Sequence, residues 1–385
     1  MRDDAEPPED VAGDAAARAD HAARNAALTL ALTLPADTVL YLLLPLHAAA
    51  FGVSLPEVGV LLAANRLVRI AGNGWVARFY ALGGPRTACL LAAVAAACTA
   101  FGYATLSGIW PLLAMRLLWG LSFSALNIAN HALPTSEAMG AARRAGRARA
   151  IVAAGPMVGL MGGALLSEVY GPRVVFAVLG AAALIAPLFA RRLPSHPEAY
   201  RAEPAKFSWP TPISTWSFSM GFVLDGLFIF GLSLLAKATV PQGAAVAAGA
   251  AMALRYLAEI LLSPVGGAMA QRHGARRMLI ALSIACSTAL LLLGTGGLLL
   301  WIGVIATVML RALIQPLPAP VVAEAYPGPA RVPALARQAT WRDIGAGAGP
   351  LAAGLLFPIA PAAAIYVGGA ILLAGSSLLL LKKDP

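Results

Sequence analysis

Thr29, Thr33, Asp37 and Tyr41 recur at every fourth position through an otherwise apolar run, which places them on one face of a helix. Asn65, Arg69 and Asn73 repeat the pattern with Arg66 on the flank, and Arg255, Glu259 and Ser263 repeat it again. Asp225, Arg116, Arg311 and the pair Arg342-Asp343 are further charges set among apolar residues. These types support two kinds of chemistry. A carboxylate in a partly dry cavity takes up a proton more readily than one in water, and an approaching guanidinium drives the proton off again. Arginine also grips carboxylate or phosphate through two parallel hydrogen bonds, which lysine cannot reproduce. Asp37, Asp225, Glu259, Arg116 and Arg311 are therefore candidates for proton handling. Tyr41, Asn65, Arg66, Arg69 and Arg255 are candidates for holding a polar or anionic solute. Neither Asp37 nor Asp225 has a basic residue one turn away on its own helix, whereas Arg255 and Glu259 are spaced for a plain structural ion pair.

Other chemistries find little support. His21 and His196 lie in polar segments, His273 in a short polar break, and His47 and His131 at the ends of apolar runs. No Ser–His pair or metal-spaced cluster forms. Cys89, Cys98 and Cys286 all lie in apolar runs and imply no disulfide framework. The net charge of +10 is scattered rather than gathered in a basic stripe, so a nucleic-acid partner is not expected. No cofactor and no metal site is expected either.

The elements that position these charges follow from composition. Of 385 residues, 59% are apolar and only 12% charged, about half the charge of a soluble protein. Mean hydropathy is +0.76. A helix needs about 20 apolar residues to cross a bilayer. The runs fall at 26–50, 56–80, 87–106, 109–131, 149–168, 173–190, 213–236, 244–270, 278–296, 299–318, 336–358 and 361–381. Fold class is thus an all-α polytopic membrane protein with twelve spans. Residues 1–25, acidic and Ala/Pro-rich, read as a disordered cytoplasmic tail without the apolar core of a signal peptide. Twenty of the 28 Lys and Arg residues fall in the tail, the C-terminus and the even-numbered loops, against Arg173 and Lys237 on the opposite side. That bias places both termini in the cytoplasm. Away from the span ends, six arginines (Arg66, Arg69, Arg116, Arg255, Arg311 and Arg342) and four acids (Asp37, Asp225, Glu259 and Asp343) remain. Facing lipid, these ten charges would cost on the order of 25–35 kcal/mol, so they must face the bundle interior.

Residues 191–212 form the longest polar stretch, a linker between two sets of six spans, 26–190 and 213–385. Landmarks recur across it. Asp37 pairs with Asp225 at an offset of 188, Arg116 with Arg311 at 195, and Gly155-Pro156 with Gly349-Pro350 at 194. Two similar six-helix halves with polar stripes meeting at mid-depth is how many secondary transporters are built.

The loop Gly267-Ala268-Met269-Ala270-Gln271-Arg272-His273-Gly274-Ala275-Arg276-Arg277 resembles the major facilitator superfamily motif G-x-x-x-D-R-x-G-R-R, with Gln271 where the acid stands. The first-half loop, with Gly74, Arg78, Gly84 and Arg86, is similar to a weaker copy, also without the acid. The family's acid helps latch the cytoplasmic side, so its absence puts that latch in doubt and Arg342-Asp343 stands as a substitute. Arg116 through Gly120 resembles the family's R-x-x-x-G element, associated with proton coupling. Gly155-Pro156 through Gly159 resembles the G-P-x-x-G element of drug/proton antiporters, although a Gly/Pro segment equally serves close packing or a kink. The resemblance implies a twelve-helix, monomeric transporter of a bacterial-type inner membrane. Its partners are the lipid bilayer, protons and a small-molecule substrate. The leading expectation is proton-coupled efflux of a small organic solute by alternating access. A symporter or uniporter importing a polar or anionic nutrient is the alternative, and a membrane-embedded enzyme ranks behind both.

Overall fold

In the computed structural model the described residues are 9–196, 210–229, 231, 244–295, 297–357 and 359–381, and their regular structure is entirely helical. Lys237, Lys382, Lys383, most of the 191–212 linker and the end of the seventh expected span lie outside them. The first half comprises α1 (Glu9–Leu46), α2 (Leu55–Thr105), α3 (Ile109–Ala132), α4 (Ala141–Tyr170), α5 (Pro172–Ala183) and α6 (Ala186–Ala190). The second comprises α7 (Pro212–Met220) running into a π-helical turn (Gly221–Leu227), then α8 (Ala244–His273), α9 (Ala275–Leu292), α10 (Gly297–Ile314), α11 (Pro318–Ala325), α12 (Arg331–Leu356) and α13 (Ala362–Leu379). Each expected span coincides with helix over most of its described length.

Eight helical stretches among the described residues are long and apolar enough to cross a membrane. The stretch 57–105 covers two of the expected spans. α7, α8 and α12 are not among the eight, and these carry Asp225, Arg255, Glu259, Arg342 and Asp343 or lead directly into them. α7 is only nine residues long, and α12 carries Arg331, Arg337, Arg342 and Asp343 along its first half.

α2 breaks at Gly84, whose φ of +80° is open to glycine and strained for other residues, and Pro85 starts the second arm. A Cβ at Gly84 would lie 2.8 Å from the Ser195 carbonyl. The chain after α6 closes over this turn, where Arg86 donates from Nε to the Leu193 carbonyl (2.8 Å) and from its backbone N–H to Pro194 (3.0 Å).

Within each half, small residues bring two helices into backbone contact. Gly155 of α4 meets the Ala31 carbonyl of α1, and a Cβ at Gly159 would lie 2.7 Å from Pro35. In the second half, Gly345 and Gly349 of α12 meet the Phe218 and Phe222 carbonyls of α7 and the π-helical turn. The recurring Gly-Pro element thus makes the same helix crossing in both halves, by the small-residue packing that lipid-embedded helices use.

Two differences from the sequence reading concern helix starts. α1 begins at Glu9, so the part of the tail from Glu9 to Asn25 is helical rather than disordered. Alanine-rich sequence favours helix, and Ala19, Ala22 and Ala23 are buried. Likewise α4 begins at Ala141, eight residues before the expected span, which carries Arg144 and Arg149 into the helix.

A cross-half charge network around a central cavity

The interior reverses the usual soluble pattern. Glu259 is 0%, Arg116 1% and Arg311 2% exposed, while Val158, Leu165 and Ile371 face outward. A cavity of about 320 Å³ lies between the halves, walled by residues of α1, α2, α3, α4, the π-helical turn, α8, α10 and α12. Each half contributes a carboxylate–arginine cluster.

In the first half, Arg116 of α3 bonds Asp37 of α1, donates from Nε to the Leu61 carbonyl (2.9 Å) and from Nη2 to the Tyr41 hydroxyl (3.3 Å). Asn65 donates to the same Asp37 oxygen, Oδ1 (3.3 Å), and Tyr41 donates to the Leu62 carbonyl (3.1 Å). In the second half, Arg311 of α10 bonds Asp225 and donates to Glu259 (2.5 Å). Arg342 completes the Asp225 shell through Nε (3.0 Å) and Nη2 (2.8 Å). Asp225 sits in the π-helical turn, a widened segment of the kind common at functional sites. The two clusters use the repeat counterparts Asp37/Asp225 and Arg116/Arg311.

Further contacts cross between the halves. Arg69 of α2 makes a fork to Asp343 of α12, Nε to Oδ2 at 2.9 Å and Nη2 to Oδ1 at 2.8 Å. Asn73 donates to Thr340 (2.9 Å), Arg66 donates to the Ala346 carbonyl, and Arg149 of α4 pairs with Glu259 of α8 (2.7 Å). Gly146 packs on the backbone at Ser263, and Gly267 packs on Ala142, so α4 and α8 touch directly. The α4–α8 contacts lie toward the end of the bundle bearing the α3–α4 and α8–α9 connections and the start of α1, where Asp20 pairs with Arg144 (3.6 Å). The α2–α12 contacts reach toward the same end.

The sequence candidates separate accordingly. Asp37, Asp225, Arg116, Arg311, Glu259, Tyr41, Asn65, Arg66, Arg69, Arg255, Arg342 and Asp343 lie in or beside the cavity. Arg69 is occupied by Asp343, and Glu259 takes Arg149 and Arg311 rather than Arg255 in the ion pairs. Arg66 and Arg255 form no ion pair among the described residues; Arg255 stacks 4.7 Å over Tyr256 and its buried Nε has no hydrogen-bond partner. Arg78, Gln271 and Arg272 are exposed at the end that the α4–α8 and α2–α12 contacts hold closed, Gly274 turns the α8–α9 connection with φ +89°, and Arg276 opens α9. Gly155, Pro156 and Gly159 lie at the α1–α4 crossing, away from the charge network.

Arg149, His131, Phe123 and Gln338 also line the cavity. The early start of α4 brings Arg149 two turns inside a helix. The four arginines before residue 150 mask this, since they read together as a basic loop.

A family model for the Major Facilitator Superfamily matches residues 26–241 and again 217–385. No curated protein matches in sequence. Among solved structures, the human organic anion transporter MFSD10 (TETRAN) aligns with a TM-score of 0.77 at 19% identity, over 97% of this chain and 100% of that one. The E. coli fucose:proton symporter FucP aligns at 0.73 and 15% identity, over 95% and 98%. The proton:xylose symporter XylE, bound to 6-bromo-6-deoxy-D-glucose, aligns at 0.75 and 11% identity, over 96% of each chain. With its all-helical fold, its two related halves and a family model covering nearly the whole chain, this protein belongs to the major facilitator superfamily and is a membrane transporter, not an enzyme.

Proposed function

We propose that the chain is a proton-coupled transporter of a small organic anion, working as a monomer by alternating access. The observation that carries this reading is the cavity's charge. Seven arginines (66, 69, 116, 149, 255, 311 and 342) surround it against Asp37, Asp225, Glu259 and Asp343, and among the described residues Arg66 and Arg255 are the two that form no ion pair. A buried positive excess is costly unless an anion completes it. A cavity of about 320 Å³ suits a small metabolite-sized molecule. The structural neighbours carry the fold, and the charge argument carries the cargo class.

The same geometry favours movement of proton and anion together over exchange. Arg311 and Arg342 are shared goods, held by Asp225 while it is ionised. A proton on Asp225 frees Arg342 for the cargo and leaves Arg311 on Glu259 alone, and cargo that draws them away leaves Asp225 readier for a proton. Linkage makes the effect reciprocal, so each ligand tightens the other. Exchange would require proton and cargo to compete, as for a cation seeking Asp37 or Asp225. With one proton per negative charge the cycle is electroneutral, and one pH unit, acid outside, supports about tenfold accumulation. With the termini on the cytoplasmic side of an inner membrane, the closed end is the inner end. Opening it requires breaking Arg69–Asp343 and Arg149–Glu259, the latter touching the coupling cluster through Glu259.

The test is a melting-temperature panel of carboxylates, sugar phosphates, neutral sugars and organic cations at pH 6 and pH 8. Anions alone should stabilise, more strongly at pH 6, and Arg66→Lys or Arg255→Lys should weaken the effect without lowering the unliganded melting temperature. Asp225→Asn should bind with little pH dependence and fail to concentrate cargo in vesicles. Stronger binding at pH 8 would establish exchange instead, and stabilisation by neutral or cationic compounds alone would refute the anion site.

A further inference from the structure

Outside the central cavity, the outer face of the first half carries two adjoining hollows of opposite character. One is an apolar groove of about 760 Å³, walled by α1, α4, α5 and α6. Its floor is the α1–α4 crossing, with Gly162 facing open space beside it. The other, of about 340 Å³, lies at the closed end between the starts of α1 and α4 and includes Arg24 and Arg147. Ile151 belongs to both hollows. Arg24 stands one turn before Leu28 of the groove, and Arg147 one turn before Ile151, so the basic groups sit directly at the groove's mouth. A third guanidinium, Arg192, stacks 6.0 Å over Phe189 in the groove's wall.

We propose that this composite site holds one anionic phospholipid, its phosphate on Arg24, Arg147 and Arg192 and an acyl chain in the groove. Three features support that occupant. Asp20, the acid lining the basic hollow, is paired with Arg144, which leaves Arg24 and Arg147 without an ion pair among the described residues. From Ile151 to Leu166 the groove follows fifteen residues of α4, about 22 Å of helix rise, enough to span the roughly 15 Å of one leaflet's acyl layer. The charge and the apolar wall also meet at the end of the bundle, at headgroup depth. A soluble anion would use the arginines and leave the groove empty, and a zwitterionic lipid would leave the positive charge unmatched.

Native mass spectrometry of the full chain in detergent tests this, titrating phosphatidylglycerol against phosphatidylcholine. Phosphatidylglycerol should be retained preferentially. Arg24→Gln with Arg147→Gln should cut that preference by roughly 5- to 30-fold, about fivefold for each surface arginine, while the two Lys variants keep it. Gly162→Leu provides the second arm, since nothing lies within 4 Å of a Cβ there and the side chain fills groove rather than protein. It should weaken retention of both lipids. Equal retention of the two lipids, or an anionic preference untouched by both arms, would overturn the proposal. So would full displacement of phosphatidylglycerol by inorganic phosphate, which would make the basic hollow a phosphate site without a chain-binding part.

Discussion

The Arg69–Asp343 fork joins the halves with two hydrogen bonds of 2.9 and 2.8 Å, on side chains only 9% and 17% exposed. Arg69→Gln removes the charge and half the fork and leaves Asp343 partly buried without its counter-ion. Breaking a fully buried pair costs about 3–5 kcal/mol. Asp343 faces a polar cavity and keeps some exposure, so the lower figure of about 2–3 kcal/mol applies. The cost falls on the closed conformer alone, because opening this end separates α2 from α12 and the pair is lost there in any case. The closed-to-open ratio should therefore drop roughly 30- to 150-fold. Spin labels at Met139 and His273, both exposed on opposite halves at this end, would report it as a shift toward long distances. Arg69→Gln with Asp343→Asn should shift less than the two single effects combined, because no uncompensated charge remains. The exchanged pair Arg69→Asp with Asp343→Arg should recover part of the short-distance population. A distance distribution unchanged by Arg69→Gln would refute the reasoning and leave Arg149–Glu259 and the glycine contacts as what keeps this end shut.

Two further outcomes follow from packing and topology. Gly155→Val should lower stability by at least about 1–3 kcal/mol, read as melting temperature, because its Cβ would overlap the Ala31 backbone, whereas Gly162→Ala, with open space around it, should be neutral; equal effects would contradict the α1–α4 crossing. Cysteines at the exposed positions Ser107 and Thr295 should react with impermeant maleimide on intact cells and those at Ser136 and Gln271 only after permeabilisation, and the reverse pattern would invert the orientation drawn from the arginine bias.

The helical class and the inward placement of the charges were readable from the chain because each is a local property. Hydropathy over about 20 residues marks a span, and a four-residue period marks a polar face. The cost of lipid exposure then sends that face inward. The helix starts were less readable. Alanine carries α1 back to Glu9 through residues whose acids look like a solvated tail, and Arg149 is hidden among the loop-like arginines of α4.

Which charge meets which was decided only in three dimensions. Asp37 and Arg116 are 79 positions apart, Asp225 and Arg311 are 86 apart, and Arg69 and Asp343 are 274 apart. The one pairing that helix spacing offered, Arg255 with Glu259, is not among the ion pairs made, because guanidinium groups from α4 and α10 take the carboxylate first. Sequence shows how many arginines lie at mid-depth. Helix packing decides which of them are neutralised, and so leaves Arg66 and Arg255 outside the ion pairs formed among the described residues. Ion pairing between helices depends on which faces oppose one another, a relation that residue order along any single helix does not contain.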